Sequence, residues 1–485
     1  MKKLYSLFCL IFPLSCVLFL ISCEDILQEE PKSISAEYFY NTSGEVETAV
    51  NAIYQPIRGY NGFGFLYPAQ LTAYEGEYYH GRGSYSSLSD FQGLNSTNIT
   101  RVGNIWVQFY SGIRNANLVI KNAPEGTNIS ETDIAKYVAE AKFMRAFIYF
   151  QIVRNWNKAV LRTELNMTEL DVPISSADDV YALIVSDLEY AEQNLPDEPS
   201  ISGHPSKWSA KTVLADVYLN RENYAEAMNK AGEVIQSKKY SLVEVSTYED
   251  FDKIFGADVV NSTEEIFYLK YSRESGWAQT QCYHHPKDPY YNGFGLFILY
   301  MPDSETNDFY NNQDNADLRK KLWYPWEFGL GLNTMLSRKF VDTERLTYGG
   351  NDYPFYRYAD LLFIYSEAVS KANGSPTVDA MEKLNMVHRR AYGYNSLIPS
   401  VVDFKLADYS DIQSFMNVLL EEKGYETVDE VKRWLDLKRL GLAKEKIKAA
   451  TGIDIAEKHM WWPIPVSEMN FNKAIDPVAD QNPGY

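Results

Sequence analysis

Along most of this 485-residue chain, apolar side chains recur at the three- to four-residue spacing that lines one face of an α-helix. Val46, Ala49, Val50 and Ile53 mark such a face over 45–57, and the pattern returns over 105–122. The longest run follows Ser130. Ile134, Tyr137, Val138, Ala141, Phe143, Met144, Phe147, Ile148 and Ile152 predict a helix reaching Trp156, with Asp133 placed after Ser130 as in a capping box. The same period predicts helices over 178–195, 208–219, 224–236, 358–371, 377–391 and 412–440. Within 210–227, small Ala215 and Ala225 permit close helix approach while Tyr218 and Tyr224 fill the turn, as in a tetratricopeptide-like pair. The predicted fold class is therefore mainly α, with tetratricopeptide-like helix hairpins as a scaffold and an extended, Pro-rich tail from Trp461.

Two stretches, 59–100 and 272–356, lose the helical period and are rich in Gly, Asn, Ser and aromatic residues. Irregular segments of that length on a rigid scaffold are natural places for a binding site. The chain holds 37 Tyr, 24 Phe and 9 Trp, and many of the rings in these stretches follow no helical spacing that core packing would demand. Aromatic faces suit the apolar faces of sugar rings, with the phenol or indole edge left to hydrogen-bond. The candidate ligand-binding residues are Tyr78, Tyr79, Arg82 and Tyr85 in the first stretch, and Trp277, Tyr283, Tyr290, Tyr291 and Trp326 in the second.

The N-terminus changes the setting. Lys2 and Lys3 precede an apolar run to Ile21, and Leu20-Ile21-Ser22-Cys23 has the spacing of a lipobox, in which Cys23 is lipidated and becomes the first mature residue. Residues 1–22 then read as a lipoprotein signal peptide and 23–35 as a lipidated flexible leader. Residues 36–485 form one domain carrying the loop regions 59–100 and 272–356. Removing the signal takes the formal charge from −19 to −21, a surface that repels nucleic acid and anionic headgroups. With Cys9 and Cys16 in the signal, only Cys282 is left beside Cys23, so no intrachain disulfide is expected.

The chain resembles the SusD/RagB family of outer-membrane nutrient-binding lipoproteins. Trp106, Tyr110, Ile113, Ala116 and Asn117 match one family helix, and Glu140-Ala141, Arg145-Ala146 and Tyr149-Phe150 match another. Asp317-Leu318-Arg319 fits a short acidic–basic pair, and Tyr356-Arg357-Tyr358-Ala359-Asp360 with Glu367-Ala368 matches a further signature. Leu384-Asn385, Arg390-Ala391, Glu422–Glu426, Lys432–Arg439, Trp462–Pro465 and Gln481–Tyr485 complete the series in order. His388, Lys423 and Ser366 depart from the family pattern in scaffold positions, and no ligand-facing loop carries a family motif.

The resemblance implies a SusD-like fold and a surface-exposed, lipid-anchored lid above a SusC-like TonB-dependent transporter in the outer membrane. In that role the protein captures an oligosaccharide and delivers it to the barrel; peptide capture, as in RagB-like members, is the alternative. Glu24-Asp25, directly after the lipidated cysteine, suits surface exposure. No nucleophile elbow, zinc-protease helix or phosphate loop occurs in the sequence, so no enzyme and no cofactor are expected. Cys282, His284 and His285, and the trio Asp314, Asn315 and Asp317, read as polar loops rather than metal sites. Arg145 and Arg357 sit in apolar helical contexts and need buried carboxylates, for which Glu140, Asp360, Glu367 and Asp436 are candidates.

Overall fold

The computed structural model of the chain describes residues 39–275 and 279–485. Cys23, the signal and leader, and Trp277 lie outside the described residues. Within them the predicted helices form, joined by an unexpected α2: α1 (Ser43–Arg58), α2 (Leu66–Thr72), α3 (Ser96–Asn122), α4 (Glu131–Trp156), α5 (Ala177–Asn194), α6 (Lys207–Asn220) and α7 (Tyr224–Gln236). After a long excursion come α8 (Tyr358–Asn373), α9 (Val378–Ala391), α10 (Ile412–Glu426) and α11 (Arg433–Arg439). Apart from α2, each of the helices α1 to α9 packs on its predecessor: α1 on α3, α3 on α4, and so on to α7 on α8 and α8 on α9. This is the hairpin stacking that the apolar period implies, with residues 237–357 looped out between α7 and α8.

Caps and close approaches set the ends and spacings. Ser130 accepts the Asp133 backbone N–H (3.1 Å), capping the helix as expected. The Asp133 carboxylate also accepts from the Ser43 hydroxyl of α1 (3.2 Å), so the cap doubles as a helix-to-helix tie. Gly112 lies where α3 crosses both neighbours. A methyl there would meet Ile148 at 2.8 Å and Ile57 at 3.1 Å.

Two expectations change. Helix α3 begins nine residues before 105, capped by the Asn95 side chain on the Asn98 N–H (2.9 Å), and α2 lies inside the first supposed loop. The helix expected over 412–440 is broken at 427–432, where Asp429 (φ 67°) and Val431 (φ 60°) take left-handed conformations. The break turns Asp429 and Glu430 inward. Glu430 then meets Lys339 (2.5 Å) and Arg357 (2.7 Å), while Glu426 and Glu264 complete the shell around Arg357 and Arg390. Arg145 is held by Asp187 (2.7 Å), Glu164 (2.5 Å) and Asn117 (2.7 Å). Buried ion networks were expected, but their carboxylates come from other partners. Of the four candidates, only Asp360 touches either arginine, by accepting the Arg357 backbone N–H.

The few strands form antiparallel pairs: β1 (His80–Gly81) with β5 (Leu299–Tyr300), β2 (Ala159–Val160) with β3 (Ile174–Ser175), β4 (Glu265–Leu269) with β8 (Tyr353–Arg357), and β6 (Trp323–Pro325) with β7 (Met335–Ser337). The first pair joins the two irregular regions. His80 opposes Tyr300 and Gly81 opposes Leu299, so loop regions more than 200 residues apart are hydrogen-bonded into one surface. The tail closes the other end. Asn482 donates to the carbonyls of Trp156 (2.8 Å) and Trp462 (2.7 Å), and the Trp156 indole donates to Pro463 O (2.9 Å).

Candidate functional site

Where β1 and β5 join the two loop regions, the aromatic residues sort into two layers. The inner layer takes five of the candidates. Tyr78, Tyr79, Tyr85, Tyr283 and Tyr291 are between 0 and 2% exposed, and a ring without an open face cannot stack on a ligand. Tyr78 packs on Phe309 (4.5 Å) and donates to Glu75 (2.8 Å). Tyr79 stacks on Tyr283 (5.8 Å) and donates to Asp429 in the α10–α11 break. Tyr85 lies beneath the Arg101 guanidinium (4.0 Å), and Tyr291 stacks on His284 (4.7 Å) while sharing a hydrogen bond with Thr280 (2.9 Å). Burial pushes the phenols of Tyr78, Tyr79 and Tyr283 well above their ordinary range. These five positions are corrected from ligand platforms to the internal packing of the loops, because the two regions bury against each other.

The outer layer holds the three other described candidates. Tyr290 and Trp326 are half-buried and Arg82 is exposed. Tyr290 meets Tyr324 edge-on (4.8 Å), Tyr324 meets Trp326 (6.2 Å), and Trp326 faces His285 (5.5 Å). His285 lies against Phe297 (4.6 Å) and Phe328 (6.2 Å), and the Arg82 guanidinium sits over the Phe297 ring at 3.8 Å. Together they make a continuous aromatic ribbon resting on buried Tyr300, Tyr324 and Leu336. His285, Phe297 and Phe328 are the members that loop composition did not single out.

One side chain organises this surface. Asp288 accepts the backbone N–H groups of Tyr290 (2.9 Å) and Tyr291 (3.0 Å) at one oxygen. Its other oxygen takes the His285 N–H (2.8 Å) and the Tyr324 hydroxyl (2.8 Å). Burial works against its charge, yet His284 and Tyr324 hold the carboxyl below its usual range. His284 is itself fixed, since its Nε2–H donates to Phe340 O (2.6 Å). Phe297 adopts a left-handed φ of 35°, strain of the kind that concentrates at binding surfaces. Gly295 lets the return strand lie directly on His284, for a methyl there would fall 2.0 Å from the His284 carbonyl oxygen. The ribbon's far edge is the β6–β7 turn, where Trp326 and Thr334 exchange hydrogen bonds (2.7 and 3.0 Å).

Other features offer less chemistry. A polar recess of about 790 Å³ lies between residues 197–206 and β4. Its carboxylates Asp197 and Glu198 are engaged by Lys239, and its Phe267 and Tyr268 are buried. Among the described residues no group of three or more His, Cys, Asp or Glu side chains is arranged to hold a metal. Cys282 is buried, which pushes its thiol above the ordinary range and keeps it protonated.

Comparison with known proteins agrees with this architecture. A family model described as "Starch-binding associating with outer membrane" matches residues 27–219, and the SusD family model matches residues 244–485. The SusD-like protein P25 of Formosa agariphila is 25% identical over 537 aligned positions, covering 96% of this chain and 97% of that protein. Among solved structures, a SusD homolog from Bacteroides thetaiotaomicron superposes with a TM-score of 0.76 at 19% identity, over 94% of this chain and all of that one. A surface glycan-binding protein A from Bacteroides fluxus gives a TM-score of 0.70 at 20% identity, covering 92% of this chain and 100% of its own. At such identities the superpositions speak for the fold.

Proposed function

Since the chain belongs to the SusD/RagB family, we propose that it is a non-catalytic glycan-binding lipoprotein, anchored through Cys23 at the outer face of the outer membrane. It captures an oligosaccharide on the ribbon of Tyr290, Trp326, Phe328 and Phe297 and delivers it to a SusC-like TonB-dependent transporter. The observation that carries this reading is the two-layer sorting of the loop aromatics. The inner rings make the platform rigid, and the outer rings stay half-open although burial would stabilise each of them. Half-open rings on a fixed base suit stacking on sugar faces, because little side-chain entropy is left to lose on binding. Family membership supports the outer-membrane setting. The name of the Bacteroides fluxus protein, which shares the fold, supports a glycan as ligand.

The test is affinity measurement against a panel of polysaccharides, with Trp326→Ala beside the wild-type chain. One or more glycans should bind, and the variant should lose about 1–3 kcal/mol of binding, read as a rise in Kd of about fivefold or more with an unchanged CD spectrum. A folded protein that binds none of the panel overturns the reading.

A further inference from the structure

The ribbon is cationic, in a chain that is not. Lys and Arg number 46 against 65 Asp and Glu, and many cations elsewhere are committed to carboxylates, as Arg145, Arg319, Arg357, Arg389 and Arg439 are. Along the ribbon the rule reverses. At one end the exposed Arg82 lies over Phe297 (3.8 Å), and its backbone N–H is tied to Ile298 O (2.7 Å). At the other end Arg338 stacks on Tyr248 (3.9 Å), donates to the Tyr290 hydroxyl (2.8 Å) and grips the Lys321 carbonyl with Nε and Nη2 (3.0 and 2.8 Å). Exposed Lys287 and Lys321 flank the rings. None of these four cations makes an ion pair among the described residues.

The neighbouring acids are spent elsewhere. Asp288 lies beneath the surface on His284, Tyr324 and backbone amides. Asp90 pairs with His80 (3.0 Å), and Glu327 accepts the Gly329 N–H (2.6 Å). Glu249 and Asp252 feel the charge of Arg338 without pairing with it. The local field registers on His285: after burial and against the opposing pull of Asp288, Lys287 and Arg82 both hold its ring below the ordinary imidazole range.

Unpaired guanidinium groups at both ends of a run of open rings are a recognition pattern in themselves. The rings take the apolar faces of a sugar chain, and a planar guanidinium fork matches a carboxylate or sulfate. We infer that the ligand of this ribbon is an anionic glycan, its carboxylate or sulfate groups met by Arg82 and Arg338 while its rings stack on Phe297, Trp326 and Tyr290. The inference rests on the glycan-binding reading. A net charge of −19 repels a polyanion at long range, but that repulsion is screened beyond about 8 Å at physiological salt, leaving the local cations to act at contact.

Retardation gels and titration of the full chain in detergent against polygalacturonate, carrageenan and laminarin give carboxylated, sulfated and neutral arms. Polygalacturonate or carrageenan should bind more tightly than laminarin, and which of the two binds identifies the anion. Raising the salt from about 0.05 M to about 0.5 M should weaken that binding roughly tenfold, and Arg82→Gln should weaken it roughly fivefold or more. Arg82 is exposed, so that variant keeps the fold; Arg338→Gln, checked by its melting curve, should do the same. Laminarin bound best, with Arg82→Gln without effect, overturns the anionic inference and leaves the glycan reading standing. Anionic glycans bound without sensitivity to Arg82→Gln or Trp326→Ala overturn it as well, and no binding in any arm removes the parent reading itself.

Discussion

Glu75 shows what burial does to a single residue at this site. It lies under the loops with one oxygen accepting from Tyr78 (2.8 Å) and the other without a partner. Burial pushes its carboxyl from an ordinary 4.5 up to about 8, against the lowering effects of the Tyr78 hydroxyl and Arg433 and with Asp429 adding to the rise. A raised carboxyl favours the neutral form in the fold, so its contribution is complete below pH 4.5 and is lost as the pH climbs through about 8. Glu75→Gln should therefore leave stability nearly unchanged near pH 4.5 and raise it increasingly above, by on the order of 3–5 kcal/mol beyond pH 8. Melting curves across pH check this, and a difference flat with pH contradicts it. Gly295 is a second case. Gly295→Ala should displace the strand lying on His284, costing about 1–3 kcal/mol and weakening glycan binding along with stability.

At the level of elements, the break between α10 and α11 matters most. An unbroken helix would carry Asp429 and Glu430 around its own axis; the left-handed turns at 429 and 431 deliver them to Tyr79, Ser337, Lys339 and Arg357. The scaffold is thereby locked to the floor of the loop platform. Glu430→Gln removes one charge from a fully buried pair of cations and should cost about 3–5 kcal/mol. Lys444→Gln, at an exposed pair with Glu457, should shift stability by less than about 0.5 kcal/mol. Urea titration of both variants measures the contrast, and equal effects refute the role given to the break. Local sequence made the helices on either side legible. It did not show the break, because 427–432 contains no proline or glycine and its conformation is stabilised by charges distant in the chain.

For the whole molecule, function depends on where the helical body sits. Among the described residues no helix is long and apolar enough to cross a membrane. The proposed tether is the lipid on Cys23, a proposal that rests on the lipobox spacing of Leu20-Ile21-Ser22-Cys23. Cys23→Ala should move the protein from the membrane fraction to the soluble one while its glycan affinity in solution stays unchanged, as fractionation and titration together would show. Retention of the variant on the membrane contradicts lipid anchoring.

Periodicity and motif order were enough to read the helical fold class and the hairpin order, since both depend on contacts between near neighbours and on a 3.6-residue repeat that the chain displays directly. Composition also marked both loop regions as the place to look. Which rings face outward was decided only by the tertiary structure. Tyr79 and Tyr290 are the same residue type in similar polar surroundings, yet one is buried against Tyr283 and the other stays half-open beside Arg338. Loop side chains follow no period, so their direction is set by the β1–β5 pairing, by the Asp288 turn and by the charges of a helix break far along the chain. The cationic ends of the ribbon were hidden for the same reason: Arg82 and Arg338 are 256 residues apart in sequence, and only the folded chain places them along one row of rings.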